Sequence, residues 1–321
     1  MSVDNKIPLA AVVGPTASGK TGLGVELAKH LGGEVISADS MQIYKDMDIA
    51  TAKPTPEETD GVVHHLIGFL PPSESFSVAQ YVELARKCII DIHSRGKLPI
   101  VVGGTGLYVS SLLNNISFSE DDADYALRER LAERANRLGA QSLIDELRTF
   151  DPESAERMHP NNLKRIIRAI EIYRTTGITM TEQNRRSRLV ESPYSAVKIG
   201  LKARDRQYLY DRINKRVDLM VQQGLVDEAK RVLSGKCGMT AQKAIGYKEL
   251  VPYFNGTAKL DDCLEKLKME SRRYAKRQLT WFLRDEDIEW FDIDTFENND
   301  ELFVSVLKYA ESMLGKPGVK L

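Results

Sequence analysis

The chain has 321 residues, 42% of them hydrophobic, and a formal net charge of −1. These values predict a soluble globular protein of one large or two modest domains. The net charge alone predicts no nucleic-acid or membrane partner, although a near-neutral average can conceal a local basic surface. No stretch approaches the roughly 20 apolar residues of a membrane span and the polar start is unlike a leader segment, so we expect a cytoplasmic protein.

The first predicted element is a buried strand, residues 9–13, which leads into a phosphate-binding motif. The motif G-x-x-x-x-G-K-[ST] is matched in full by Gly14, Pro15, Thr16, Ala17, Ser18, Gly19, Lys20 and Thr21. In such a strand–loop–helix unit the loop N–H groups converge on phosphate oxygens, the lysine adds a positive charge and the threonine can ligate Mg²⁺. We therefore predict a diphosphate site with Thr21 as the metal ligand. The motif alone leaves open whether the phosphates are substrate, fuel or leaving group.

Two more buried strands, residues 34–38 and 99–102, alternate with helices that begin near Thr21 and Val78, which predicts a parallel α/β sheet. Polar loops follow both strands, at the edge where open α/β sheets bind ligands. In the first loop, Asp39 is a candidate general base or holder of a Mg²⁺-bound water, with a helix N-cap as the structural alternative. In the second loop, Gly103-Gly104-Thr105, the glycines permit a close approach of the backbone to a ligand. The glycine pair alone, however, is equally typical of a tight turn.

Residues 116–195 change to helical segments rich in Arg and Glu, predicted over residues 125–138, 140–150 and 163–175. A strand at residues 197–201 then returns the chain to the core, and amphipathic helices follow, the last one predicted over residues 260–283. The predicted fold class is therefore α/β: a P-loop NTPase-like parallel sheet flanked by helices, with an all-helical insertion domain. The core domain is predicted to be discontinuous, residues 1–115 and 196–315.

Basic residues cluster in the insertion, from Lys164 to Arg188, and on the last predicted helix, where they interleave with Tyr274, Trp281 and Phe282. A solvated helix face is the usual explanation of such runs. Acidic stretches at residues 120–122 and 285–287 separate the charges, however, and aromatic rings can stack on bases. The two clusters therefore predict a surface for RNA.

The ordered motifs GPTASGKT, DSMQIY, DIATAKP, VGGTGLY, HPNNLKRIIRAIE, AIGYKE and RRYAKRQLTWF resemble those of bacterial tRNA dimethylallyltransferases, from Pro8 to about Trp290. The resemblance implies transfer of the dimethylallyl group of dimethylallyl diphosphate to the N6 amine of the adenosine 3′ of the anticodon, with Mg²⁺, so that diphosphate is the leaving group. It implies that Asp39 is the general base, that Thr105 orients the amine and that Lys20 stabilises the departing diphosphate. The adenosine must leave its stacked loop to be reached.

By the same resemblance, the tRNA anticodon stem-loop is expected to contact the Asp39 loop, the insertion and the C-terminal helices, on a monomeric enzyme. Arg212 and Arg216, four residues apart on one predicted helix face, are further candidate diphosphate ligands. Residues 118–122 replace the proline-containing approach to the insertion that many members have. The expected tRNA contacts are Asp39, Ser40, Met41, Gln42, Thr105, Arg128, Lys164, Arg165, Ile166, Ile167, Arg168, Gln242, Lys243, Gly246, Tyr247, Lys248, Arg273, Lys276 and Arg277.

Three other functions share parts of this pattern. An adenylate isopentenyltransferase would prenylate a free nucleotide and would need neither the insertion nor the basic aromatic helix. A P-loop small-molecule kinase would hold ATP in the loop, but no arginine-rich lid motif is evident. An RNA-binding ATPase switch would need a second acidic metal motif, for which Asp39 is the sole candidate.

Overall fold

The computed structural model describes residues 6–116, 124–235 and 237–315. The chain forms two compact units, one built from the segments up to residue 113 and from residue 193 onward, the other from residues 114–192. The predicted departure at residues 118–122 lies outside the described residues. Among those described, no helix is long and apolar enough to cross a membrane.

The first unit is built on one parallel sheet of six strands in the order β3-β2-β4-β1-β5-β6. Nearly all of β1 and β4 is buried, as expected for a parallel sheet covered by helices on both faces. The strands are β1 (Ile7–Val13), β2 (Gly33–Ser37), β3 (His64–His65), β4 (Leu98–Gly103), β5 (Tyr194–Lys202) and β6 (Glu289–Asp292).

Helices cover the sheet and form the second unit. They are α1 (Lys20–Leu31), α2 (Pro56–Thr59), α3 (Val78–Ser94), α4 (Gly106–Leu113), α5 (Tyr125–Leu138), α6 (Gln141–Phe150), α7 (Pro152–Arg157), α8 (Leu163–Thr176), α9 (Met180–Leu189), α10 (Arg206–Gln222), α11 (Leu225–Ser234), α12 (Met239–Gln242), α13 (Val251–Phe254), α14 (Leu260–Phe282) and α15 (Asn299–Leu314).

The first unit has its main core between the sheet and helices α1 and α15, where apolar side chains such as Val12, Leu27 and Val306 are fully buried. A second core packs residues 43–47 against α10, α11 and α14. This second core fixes the segment after β2, and with it one side of the carboxyl edge of the sheet.

The second unit, residues 114–192, consists of helices α5 to α9 around its own apolar core, which includes Leu131, Leu147 and Ile170. Helix α5 begins where the Asp124 carboxylate accepts a hydrogen bond from the Leu127 N–H at 2.8 Å. The arrangement confirms the prediction of helices without strands for this segment, within the residues that the structure describes.

The return strand predicted over residues 197–201 is present as β5, which extends over Tyr194–Lys202. One prediction about element order was wrong. Helix α14 is not the last helix, because β6 pairs with β5 after it and α15 follows, capped by the Asn298 side chain, which accepts the Glu301 N–H at 2.9 Å.

Candidate active site

Three loops meet at the carboxyl edge of the sheet because their strands end level with one another. Val13 pairs with Gly103 of β4 and with Gly200 of β5, and Ser37 of β2 pairs with Val102. The loops enclose a cavity of about 370 Å³ lined by the phosphate loop, the Asp39 loop and segments of α10, α14 and residues 243–248. Residues of the phosphate loop and of both predicted polar loops thus line one cavity at the sheet edge.

The phosphate loop has the shape that its glycines allow. Gly14 has φ +146°, and a Cβ there would collide with the carbonyl oxygen of Leu201 on β5. Gly19, with φ +92°, is the N-cap of α1, so the loop amides and the helix N-terminus face the cavity edge. The Ser18 hydroxyl is buried and has no hydrogen-bond partner among the described residues. An unpaired buried hydroxyl in this loop marks a place for a polar ligand.

Lys20 lines the cavity with its ammonium enclosed by protein, where Nζ donates to the Pro15 carbonyl at 2.6 Å. Burial, reinforced by the positive charge of Arg216, lowers the pKa of Lys20 to about 7, and the Asp39 carboxylate offsets this only in part. Because two crowded cations lie beside the Asp39 carboxylate, this part of the cavity electrostatically favours an anion.

Both arginines predicted from α10 reach the phosphate loop. Arg212 Nε donates to the Ala17 carbonyl at 2.8 Å, and Arg216 Nη1 lies 3.4 Å from the Thr16 hydroxyl. Arg216 lines the cavity, and burial lowers its pKa below the usual value. The i, i+4 spacing places the two guanidinium groups along the same loop.

Asp39 both caps its own loop and lines the cavity. One carboxylate oxygen, Oδ1, accepts the N–H groups of Met41 at 2.8 Å and Gln42 at 3.3 Å. Thr105 supports the same loop, since its hydroxyl oxygen accepts the Ser40 N–H at 3.0 Å. Oδ1 thus caps a turn, and no helix begins here as the N-cap alternative requires. These bonds hold the carboxylate in place without occupying both oxygens.

The glycines of the third loop serve close packing. A Cβ on Gly103 would collide with the Ala38 backbone, one on Gly104 with the Gln278 amide and one on Gly106 with the Trp281 ring. None of these glycines is among those with positive φ, so close packing rather than backbone conformation is what requires them. The loop is instead pressed against the Asp39 loop and α14.

Gln278 is a site residue that sequence reasoning missed, although it lies within the motif RRYAKRQLTWF. Its side chain is 5% exposed, its Oε1 accepts the Thr16 N–H at 2.8 Å and its Nε2 donates to the Gly104 carbonyl at 3.0 Å. One amide thus joins the phosphate loop to the loop after β4. The only signal in the sequence was a glutamine among basic residues.

The predicted RNA contacts of residues 242–248 divide into two groups. Lys243, Gly246 and Lys248 line the cavity, and Gln242 is exposed beside them. Tyr247, by contrast, is 0% exposed, and its hydroxyl donates to Glu228 at 2.9 Å. The prediction that Tyr247 contacts RNA is therefore corrected, because its side chain belongs to the core beneath that surface.

In the second unit, Lys164 and Arg165 at the start of α8 are exposed. Ile166 and Ile167 are buried in the core of this unit, so their predicted contact with RNA is corrected as well. The helical period places Ile166 opposite Lys164 and Ile167 opposite Arg165.

Arg128 and Arg168 share one buried partner, Glu171, at 2.9 Å and 2.7 Å. Burial alone would raise the pKa of Glu171, but the two guanidinium groups outweigh it and lower that pKa. Both arginines remain partly exposed, so they hold the unit together and still present charge at its surface.

On α14, Lys276 and Arg277 are exposed, and Arg277 lies over the Tyr274 ring at 5.7 Å and lines the cavity. Arg273 is exposed and paired with Glu270 at 2.7 Å. Phe282 is buried, which corrects its expected availability for stacking on bases. The exposed face of α14 therefore carries cations more than rings.

Among the described residues, no group of three or more His, Cys, Asp or Glu side chains is arranged to hold a metal ion. The adjacent His64 and His65 have separate partners, the Val62 carbonyl at 2.9 Å and the Glu34 carboxylate at 2.7 Å. Any divalent cation at this site would depend on few protein ligands.

Family models match most of the chain. One described as IPP transferase matches residues 42–285 and one described as isopentenyl transferase matches residues 7–67. The chain is similar to a tRNA dimethylallyltransferase of Thermoanaerobacter sp. (strain X514), with 47% identity over 313 residues, 96% of this chain and 99% of the relative. A tRNA dimethylallyltransferase of Halalkalibacterium halodurans is 52% identical over 289 residues, 90% of this chain and 92% of the relative.

Solved structures are similar over nearly the whole chain. The full-length tRNA isopentenylpyrophosphate transferase of Bacillus halodurans has a TM-score of 0.73 at 47% identity, covering 97% of each chain. A eukaryotic dimethylallyltransferase acting on tRNA has a TM-score of 0.82 at 29% identity, covering 98% of this chain and 81% of the other. These similarities confirm the resemblance and the predicted fold class.

Proposed function

This chain belongs to the IPP transferase family and is a prenyltransferase, and we propose that it transfers the dimethylallyl group of dimethylallyl diphosphate to the N6 amine of the adenosine 3′ of the anticodon in tRNA. The observation that carries the proposal is the single cavity in which Lys20 and Arg216 lie at one side and Asp39 beside them. An anion site next to a carboxylate suits a reaction with an anionic leaving group and a nucleophile that must lose a proton.

The donor diphosphate would lie in the phosphate loop. Negative charge builds on the bridging oxygen as the C1–O bond of the donor breaks, and the loop amides, Lys20 and Arg216 would stabilise it. The apolar side chains of Ile213, Val217 and Met220 line the same cavity on the helix that carries Arg216. They offer a dry surface for the five-carbon group.

The acceptor amine would approach from the Asp39 loop. Its nitrogen forms the bond to C1 of the donor, the electron pair of the broken C1–O bond leaves with diphosphate, and the amine proton passes to the Asp39 carboxylate. Because the loop amides hold Oδ1, the second oxygen is the one that would take the proton. Thr105 fixes the loop at Ser40 and so orients this carboxylate.

The oxygen atoms that the cavity offers suit a Mg²⁺ ion held mainly by substrate phosphates and water. Thr21 lines the cavity and would supply one hydroxyl oxygen, and Mg²⁺ is commonly bound through one or two protein oxygens plus substrate phosphates. When bound, the ion would neutralise charge on the diphosphate.

The basic side chains at the cavity mouth would hold the RNA. Lys243, Lys248 and Arg277 line the cavity, and Lys276, which precedes Arg277 in the sequence, is exposed. Contacts of these cations with phosphates would offset the few kcal/mol that extrusion of a stacked base costs. The insertion would add Lys164 and Arg165 as further contacts.

A transfer assay tests the proposal. Labelled dimethylallyl diphosphate is incubated with the protein and unmodified tRNA, AMP, or ATP plus small acceptors. We expect label on tRNA. Label on AMP alone would instead support an adenylate isopentenyltransferase, and phosphoryl transfer from ATP without prenyl transfer would support a kinase.

Replacement of the base gives the first mutational prediction. Asp39→Asn keeps an oxygen to accept the Met41 and Gln42 N–H groups but removes the base, so single-turnover transfer should fall by about 10²- to 10⁴-fold while donor and tRNA still bind. Rapid-quench transfer and filter binding measure the two effects. Weak tRNA binding with an unchanged single-turnover rate would show that Asp39 is only a cap.

A further inference from the structure

Glu228 of α11 is a buried carboxylate on which three consecutive backbone N–H groups converge. Its Oε2 accepts the N–H groups of Asp48 and Ile49, both at 2.8 Å, and its Oε1 accepts that of Ala50 at 2.9 Å. The side chain is 2% exposed. A buried carboxylate that accepts several N–H groups is strongly tied to them, because each bond is charge-assisted.

The segment that Glu228 holds is a wall of the cavity. Ala50, Thr51 and Ala52 line the cavity directly after the bonded amides. The Gln42 amide, which also lines the cavity, donates to the carbonyls of Thr51 and Ala52 at 3.3 Å and 3.0 Å. The position of this wall is therefore set from the outside by Glu228 and from the inside by Gln42.

The same carboxylate holds a second wall through Tyr247. The tyrosine hydroxyl donates to Glu228 Oε1 at 2.9 Å, and its neighbours Gly246 and Lys248 line the cavity. The two walls also touch, since a Cβ on Gly246 would lie 2.8 Å from the Ala50 Cβ. Burial and the charge of Glu228 raise the pKa of Tyr247 well above its usual value, so the hydroxyl stays a donor.

We propose that Glu228 is a positioning residue for the acceptor RNA. Its carboxylate binds both residues 48–50 and Tyr247, and it so fixes both walls on the acceptor side of the cavity. This inference rests on the proposed function, because it assigns the walls next to the Asp39 loop to the acceptor. The donor cations lie elsewhere in the cavity, on the phosphate loop and α10, and none of their hydrogen bonds described above involves Glu228.

Glu228→Gln tests the role with little change in volume. The carboxamide presents an NH₂ group to at least one of the bonded N–H or O–H donors, so the walls lose part of their support. We expect the KM for tRNA to rise about tenfold, with the KM for dimethylallyl diphosphate and the single-turnover rate at saturating tRNA nearly unchanged. A lower kcat from loss of folded enzyme, with the KM for tRNA unmoved, would overturn the proposal.

Tyr247→Phe removes only one of the four hydrogen bonds and should raise the KM for tRNA by about threefold. If Glu228→Gln does not fold, Tyr247→Phe tests the proposal by itself. An unchanged KM for tRNA in Tyr247→Phe would overturn the positioning role of Glu228. Matched controls are Glu311→Gln, a buried glutamate on α15, and Tyr81→Phe, whose buried hydroxyl has no hydrogen-bond partner among the described residues. Both controls should leave the KM for tRNA unchanged.

Hydrogen exchange separates this inference from the proposed function. In the wild-type protein without substrates, the amides of Asp48, Ile49 and Ala50 should be protected, and Glu228→Gln should speed their exchange about tenfold. Equal exchange in the two proteins would overturn the inference. If the wild type transfers no label to tRNA although these amides respond as expected, the proposed function fails and the assignment of the walls to RNA fails with it.

Discussion

Lys20 shows how a single residue can link donor binding to pH. Its pKa is lowered to about 7, so above that pH the free protein holds the amine largely neutral, whereas a bound diphosphate favours the ammonium form. Donor binding at about pH 8 should therefore take up close to one proton, and donor affinity should fall by up to tenfold per pH unit as pH rises above 7.

Calorimetry in buffers of different ionisation enthalpy measures this proton uptake. Lys20→Met should bind the donor weakly and without uptake, while Lys29→Met, which removes a lysine paired with Asp60 on the outer side of α1, should behave as wild type. Zero uptake in the wild type would mean that Lys20 is already charged in the free protein.

Single residues also show where sequence patterns stop being informative. Periodicity alone would have placed Ile166 and Ile167 in a core, but a motif match assigned every residue of its run to RNA. Tyr247 was assigned to RNA in the same way, and its burial follows from the carboxylate of Glu228, a distant residue in sequence. Long-range hydrogen bonds of this kind have no local signature, which is why Glu228 and Gln278 were found only in the structure.

Among the elements, those with a strong local pattern were predicted well. The helix predicted over residues 125–138 has the observed bounds, and the ends of β1, β2 and β4 lie within two residues of the predicted ends. Strand β6 was missed because its four residues are too few to show the alternation of apolar and polar side chains that predicts a strand. Helix α15 did have a signal, the Asn298 cap followed by apolar residues at helical spacing.

The link between α14 and the phosphate loop gives a prediction for an element. Gln278→Met keeps the length of the side chain but leaves the Thr16 N–H and the Gly104 carbonyl without their bonds. Stability should fall by about 1–3 kcal/mol, and the KM for dimethylallyl diphosphate should rise more than the KM for tRNA.

Urea unfolding and steady-state kinetics measure the two effects of this variant. The control Gln207→Met replaces a glutamine at the exposed start of α10, whose side chain donates to Asp211, and should change neither quantity. If the Gln278 variant raises only the KM for tRNA, then α14 does not shape the donor loop.

For the whole molecule, the near-neutral net charge conceals a local concentration of cations at the cavity mouth. If this surface binds RNA, changing both Lys276 and Arg277 to Ala should weaken tRNA binding and reduce the slope of log affinity against log salt by about one to two. Filter binding from about 50 to 200 mM salt measures both the affinity and this slope. An unchanged slope would identify the exposed face of α14 as an ordinary solvated surface.

The matched control removes the same charge elsewhere. Lys29 and Lys308, on α1 and α15, belong to helices that pack beside the main core of the sheet, and their double replacement by Ala should leave the slope as it is in the wild type. A fall in slope with this control would mean that net charge, rather than a local surface, governs binding.

The central strand β1 has a further consequence for the synthesis of the protein on the ribosome. It pairs on one side with β4, which is made early, and on the other with β5, which is made only after the whole of residues 114–192. Until then β1 exposes an open ladder, and the Gly14 turn lacks the Leu201 backbone against which it packs. A nascent chain that stalls within residues 114–192 therefore carries the phosphate-loop sequence on an unfinished sheet, and its unpaired strand edge is exposed to aggregation until translation resumes.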